Sequence, residues 1–170
     1  QGTSVAAFVG RAPKPGAPRE TAVAVNNFAD FQRRFIGDAK VSTDLAKAAF
    51  GFFRNGGTRC YIVNIGDADE VTAQLLRPLT TVDEVAIVAA PGFSDAVSYG
   101  AVLDHVELMG DRFAILDAPA EFDDIQALTR VAGAGGGAAG GGGDGGGPAA
   151  AKPRASDHGA FYAPHLLMAD

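Results

Sequence analysis

Short apolar runs and segments of helical periodicity take turns along most of this chain, and that alternation restricts the fold more than any single motif does. "TSVAAFVG", "TAVAV" (Thr21 to Val25), "RCYIVNI", "EVAIVAAPG" and "RFAILDAP" read as strands. Between them lie amphipathic stretches with their own start and stop signals. In "NNFADFQRRFIG", Phe28, Phe31 and Phe35 fall on one helical face, with Asn27 placed to cap and Gly37 to stop the helix. In "STDLAKAAFGFFRNGG", Ser42 or Thr43 can cap, Leu45, Ala49, Phe52 and Phe53 share a face, and Asn55-Gly56-Gly57 closes it. Further helices are predicted over residues 69–76 and about 94–109, and another after Ala118-Pro119 with Phe122, Ile125 and Leu128 facing inward. Strands and helices in alternation with short connections imply an α/β fold. Its largely parallel mixed sheet carries helices on both faces, as a three-layer sandwich.

The 170 residues suit one domain with a core of its own. Within it, 1–132 is expected to form the α/β core, 133–155 a glycine-rich flexible linker, and 156–170 a return strand and turn. From Gly133 to Gly147 eleven of fifteen residues are glycine. Such a stretch has almost nothing to bury and the most backbone entropy to lose, so a surface loop is expected rather than an anion cradle. The chain starts and stops abruptly, as a fragment would.

Charge is unevenly spread. Residues 1–60 hold nine basic and four acidic side chains, net +5, whereas 61–130 hold three and thirteen, net −10; the whole chain is −6. That balance speaks against a nucleic-acid binder, which needs clustered basic residues. It suits head-to-tail attraction between copies. Arg11, Lys14, Arg33 and Arg34 are the candidates for a basic subunit interface meeting the acidic middle of a neighbour. One cysteine, Cys60, excludes an internal disulfide and fits a reducing cytoplasm. No apolar run has the length of a membrane span, and no secretory signal pattern is present, so a soluble protein is expected.

Two features imitate a nucleotide site. Gly10 and Gly16 bracket a loop after a strand much as in a phosphate-binding loop, with five residues between them where that motif has four, and "FAILD" ends in Asp117 as a magnesium-binding strand would. Yet Gly16 is followed by Ala17-Pro18 instead of Lys and Ser/Thr. Pro13, Pro15 and Pro18 remove amide donors, and a second strand precedes the first helix. A nucleotide-binding α/β enzyme with a degenerate loop is the alternative function. Asp117 otherwise reads as a turn or cap residue before the helix expected at Ala118-Pro119.

No set of side chains assembles into a catalytic or metal constellation. Cys60 reads as buried packing, Ser94 and Ser98 as helix-start residues outside any nucleophile elbow, and His105 as a partly buried helix histidine. His158 and His165 flank "AFYAP" without metal spacing, and Asp83-Glu84 and Asp123-Asp124 read as solvated turn or helix-start charges. No enzyme activity and no cofactor are expected.

The order of segments resembles a known family. "TSVAAFVGRAPKPGAP", "VNNFADFQRRFIGD", "LAKAAFGFFRNGGTRCYIVNI", "VDEVAIVAAPG", "DRFAILDAP" and "GAFYAPHLL" together resemble the core of contractile tail sheath proteins, those of phage tails, R-type pyocin-like particles and extracellular contractile injection systems. "FFRNGGTRCYIV" is the most specific block. The resemblance implies a structural protein whose copies form stacked hexameric rings around an inner tube and contract to drive that tube through a target envelope. It implies neighbouring sheath subunits, an inner tube protein, and baseplate and terminal cap proteins as partners, with no nucleic acid and no membrane insertion. It also implies assembly in a bacterial cytoplasm into a phage tail or tail-like particle. Family members carry an N-terminal arm and a C-terminal domain that are missing from these residues. They also have a tryptophan near the last block, where this chain has Ala163-Pro164-His165-Leu166.

Overall fold

The computed structural model describes residues 5–121, 124–132 and 150–163. The glycine-rich stretch at 133–149, together with Phe122, Asp123 and the chain from Pro164 onward including His165, lies outside the described residues.

Six strands form one sheet: β1 (Ala6–Gly10), β2 (Ala22–Val25), β3 (Cys60–Asn64), β4 (Ile87–Ala89), β5 (Phe113–Asp117) and β6 (Gly159–Tyr162). Their spatial order is β2-β3-β1-β4-β5-β6, with only the β2–β3 pair antiparallel. The α/β class and the largely parallel mixed sheet are therefore as read from the sequence. β3 is buried at every position because helices cover both of its faces. β2 is the half-buried edge strand.

Register divides the core in two. Ala7 and Val9 of β1, Tyr61 and Val63 of β3, Val88 of β4, and Ala114 and Leu116 of β5 point to one face. There they meet α3 (Ala73–Leu76) and α4 (Ala96–Met109), with Leu76, Val102, Leu103 and Val106 inaccessible. On the other face Cys60 and Ile62 meet α1 (Phe28–Phe31) and α2 (Asp44–Arg54), which bury Phe31, Leu45 and Ala49. This second layer spans only the β2-β3-β1 half. No residue of β4, β5 or β6 belongs to that cluster.

The capping signals at Asn27 and Thr43 act as expected, accepting from the amides of Asp30 and Ala46, and α4 is capped by Asp95, which accepts from the Ser98 amide. α1 departs from a plain helix. It runs on through π-helical turns at Gln32–Ile36 until Gly37, at φ 56°, ends it by donating its amide to the Gln32 carbonyl at 2.7 Å.

Three expectations need correction. The helix predicted over 69–76 begins only at Ala73 and continues as a 3₁₀ turn, Arg77–Thr81. Its first residues are held from outside, Asp69 by Arg11 and the Val71 amide by Ser98 Oγ. No helix starts at Ala118-Pro119, because the Ala118 amide continues the ladder to the Tyr162 carbonyl at 2.9 Å. The helix expected to turn Ile125 and Leu128 inward is a 3₁₀ turn, Ile125–Thr129, in which Ile125 is 68% exposed and Ala127 is the buried residue. The Ala127 carbonyl accepts from the Ala151 amide, so a small side chain faces the returning strand. Ala151 is buried and Lys152 bridges Val131. No helix among the described residues is long and apolar enough to cross a membrane.

Candidate functional site

The loop after β1 stands where a phosphate cradle would, at the carboxyl end of a central parallel strand. Its donors are used internally. Asn64, buried at the end of β3, accepts from the amides of Ala12 and Gly66 through Oδ1, both at 3.0 Å, and donates from Nδ2 to the Ala17 carbonyl. The Lys14 amide bonds to the Phe35 carbonyl and the Ala17 amide to the Lys14 carbonyl. With Pro13, Pro15 and Pro18 having no amide hydrogen, the amides of Ala12, Lys14 and Ala17 are already turned inward, and no converging set faces a ligand. Asn64 takes the place of an anion.

The other chemistry candidates are dispersed. Cys60 is buried in β3, and burial pushes its thiol up to about 12, so it stays a neutral packing group. Ser98 is buried and occupied with the Val71 amide, whereas Ser94 lies in the turn before α4. His105 is buried 3.4 Å from an Arg112 nitrogen; burial, then the guanidinium charge, lowers its pKa. Asp117 is half-buried and its backbone carbonyl accepts from the Tyr99 hydroxyl at 2.6 Å. Asp124 accepts from the Gln126 amide, and His158 precedes β6. Glu84 is exposed and accepts from Tyr61 and Arg59, the hydroxyl bond being the first cause of its lowered pKa. No group of three His, Cys, Asp or Glu among the described residues is placed to hold a metal.

The four basic candidates separate into two places. Arg11 reaches the Ala68 carbonyl and Asp69, with its guanidinium over Phe93. Lys14, Arg33 and Arg34 share another corner: Lys14 Nζ donates to the Arg33 carbonyl, and both arginines engage the one carboxylate of Asp30. Two guanidinium groups and an ammonium against one carboxylate leave that corner positive. At Arg11 the charge is matched.

Three clusters escaped sequence reading because their members are far apart along the chain. Arg59 joins Glu84 and Tyr61 at the amino edge of the sheet. Arg112, its side chain fully buried, donates to the carbonyls of Leu79 and Val82 and pairs with Asp111. Arg154, from the returning segment, clasps Asp104 at 2.6 Å and Glu107 at 2.7 Å on α4, and Ser156 donates to the same glutamate. Asp104 and Glu107, one helical turn apart, are the only visible signal, since such a pair on one face invites a cation.

Arg154 and Ser156 together hold Glu107 down to about 2. A carboxylate depressed below its unfolded value of about 4.3 contributes stability above that pH and loses it as pH falls toward the folded value. The gap in Tm between the natural chain and Glu107→Gln is therefore expected to narrow as pH is lowered from about 6 to about 2. A gap independent of pH would show that the clasp does not act through the charge of Glu107.

No protein-family model matches the sequence, and no curated protein does. Solved structures do match in fold. One is a chain of the PVC extracellular contractile injection system sheath complex in the contracted state (22% identity, TM-score 0.56), covering 76% of this chain and 33% of that one. A second is from the anti-feeding prophage helical sheath in the contracted state (23% identity, TM-score 0.56), covering 81% and 38%. A third is from the anti-feeding prophage baseplate in the contracted state (25% identity, TM-score 0.56), covering 75% and 37%. The chain thus spans little more than a third of the proteins it matches. Its fold is the one found in the sheath and baseplate assemblies of contractile injection systems, as the resemblance in its sequence implied.

Proposed function

We propose that this chain is the core of a structural subunit of a contractile sheath, one that polymerises as stacked hexameric rings around an inner tube and contracts to drive the tube through a target envelope. The observation that carries the reading is the coincidence of six ordered sequence blocks with the fold of contracted sheath chains. The occupied loop behind β1 supports a role without catalysis, because the nucleotide alternative needs those amides free. Its partners in this reading are copies of itself, an inner tube protein, and baseplate and terminal cap proteins, in a particle assembled in a bacterial cytoplasm. Contraction then amounts to rigid-body rearrangement of packed domains out of a kinetically trapped state.

In this reading the Lys14, Arg33 and Arg34 corner, with its excess of positive charge, faces the acidic middle of a neighbouring copy, and Arg11 contributes less because Asp69 already neutralises it. Negative-stain electron microscopy of the full native gene product, repeated across a range of NaCl, tests both levels. Sheathed particles or hollow tubes with axial striations are expected, their assembly weakening as salt rises. Dispersed monomers would overturn the sheath reading. Tubes indifferent to salt would retain it and overturn the charged interface.

A further inference from the structure

Arg112 brings a positive charge into the core at the turn between α4 and β5, its side chain fully buried. Its donors are occupied. Nε donates to the Asp111 carboxylate at 2.8 Å, Nη1 to the Leu79 carbonyl at 3.0 Å and Nη2 to the Val82 carbonyl at 3.2 Å. These bonds stitch the turn to the connection that leads into β4, where Leu79 is inaccessible. The carboxylate that balances the charge, that of Asp111, lies toward the surface with its side chain 48% exposed.

A buried imidazole completes the arrangement, with His105 Nε2 3.4 Å from Arg112 Nη1. A guanidinium has donors only, so the nitrogen facing it presents its lone pair, and the ring is neutral with its proton on Nδ1. A protonated ring would aim one N–H at another and set a second cation beside the first, away from water, where repulsion is screened least. Among the described residues no further charge relieves it. Asp111 already faces the guanidinium with both oxygens. α3 and β4 contain no ionisable side chain, and Arg77 and Asp83, on either side of the two carbonyls, are exposed. Asp104 and Glu107 of α4 are held by Arg154, and Asp117 lies at the opposite end of β5 beside Tyr99.

We propose that His105 and Arg112 form an acid-sensitive latch, in which a proton taken up by His105 drives the Asp111-Arg112 turn off the Leu79 and Val82 carbonyls and frees the start of β5 from the connection before β4. Burial first, and then the Arg112 charge, lowers the pKa of His105, so the latch is closed at neutral pH. In the open state the ring meets water and regains its ordinary value of about 6.5. The open form then binds the proton more tightly, and each pH unit below about 6.5 favours it about tenfold until the closed form titrates as well. The bond from Arg112 holds Asp111 below the usual carboxylate range, so the balancing charge persists through this window. The Glu107 clasp weakens only below about pH 4.3, which keeps the two effects apart. The inference rests on contacts within one chain and does not depend on the sheath reading.

Amide hydrogen exchange of the full chain, corrected for the intrinsic rate at each pH and compared with His105→Gln, provides the test. The amides of Gly110 and Phe113, bonded to the Val106 and Ala86 carbonyls, report on the turn from its two sides. In the natural chain their protection is expected to fall by about tenfold or more between about pH 7 and about pH 5, whereas in the variant it stays level. Protection independent of pH in the natural chain, or falling equally in both chains, would overturn the proposal. If the variant does not fold, NMR titration of the His105 ring in the natural chain decides in its place. A midpoint well below about 6.5, accompanied by the same loss of protection, is expected; a midpoint at or above that value with protection retained would overturn the latch.

Discussion

Replacing Phe35 by alanine is expected to remove about 4 kcal/mol of stability, within the usual range for a fully buried aromatic. Phe35 is inaccessible, and its ring stacks on Phe31 with centroids 5.3 Å apart. Phe31 in turn stacks on Phe28 at 5.9 Å. The cavity would open between the π-helical turns and the sheet, where Val25, Cys60 and Ile62 are buried and have no freedom to collapse into it. The same residue ties the loop after β1 to the helix through its backbone, the Phe35 carbonyl accepting the Lys14 amide at 2.8 Å, a bond that alanine retains. Urea denaturation of the natural and variant chains measures the loss. A value below about 1.5 kcal/mol would mean that the aromatic stack is not the centre of this half of the core.

Substituting leucine for Asn64 is expected to cost about 3 kcal/mol, although leucine has nearly the same shape. The reason is polar. Two amides, of Ala12 and Gly66, lose their shared acceptor, and the Ala17 carbonyl loses a donor. Each buried group left without a partner costs on the order of 1–3 kcal/mol, with water reaching some of them. The more specific consequence is local. Arg11 and Arg19, which flank the loop, should become sites of rapid tryptic cleavage, whereas in the natural chain the loop is pinned. A variant that is destabilised but keeps a protease-resistant loop would show that the prolines, not Asn64, hold it.

The physical origin of each signal decides what could be read in advance. Elements set by local chemistry were legible: Asn27, Thr43 and Gly37 act within a few residues of where they stand, and the all-apolar β3 announces a strand covered on both sides. Elements set by tertiary contacts were not. The start of α3 is delayed because Arg11 and Ser98, distant in sequence, hold the preceding residues. The periodicity around Ile125 suggests a helix, but a hydrogen bond from Ala151 selects a 3₁₀ turn and turns Ile125 outward. The basic candidates were recognised as charges. Their partition into a matched Arg11 and an unmatched corner depends on which single carboxylate, Asp69 or Asp30, lies within reach. The Arg154 clasp was invisible for the same reason, being closed only once the chain has returned from the far side of the glycine-rich stretch.

The order β2-β3-β1-β4-β5-β6 also sets a timetable. β1 leaves the ribosome first yet occupies the middle of the sheet, so it must wait for both β3 and β4 before either of its edges is paired. β5 then waits through the whole glycine-rich stretch for β6. Throughout that interval Phe113 to Asp117, apolar in its first four residues, offers an open hydrogen-bonding edge to any other nascent chain nearby. The edge of β5 is covered only once β6 has been made, so the length of the glycine-rich stretch between them sets how long that edge stays open during synthesis.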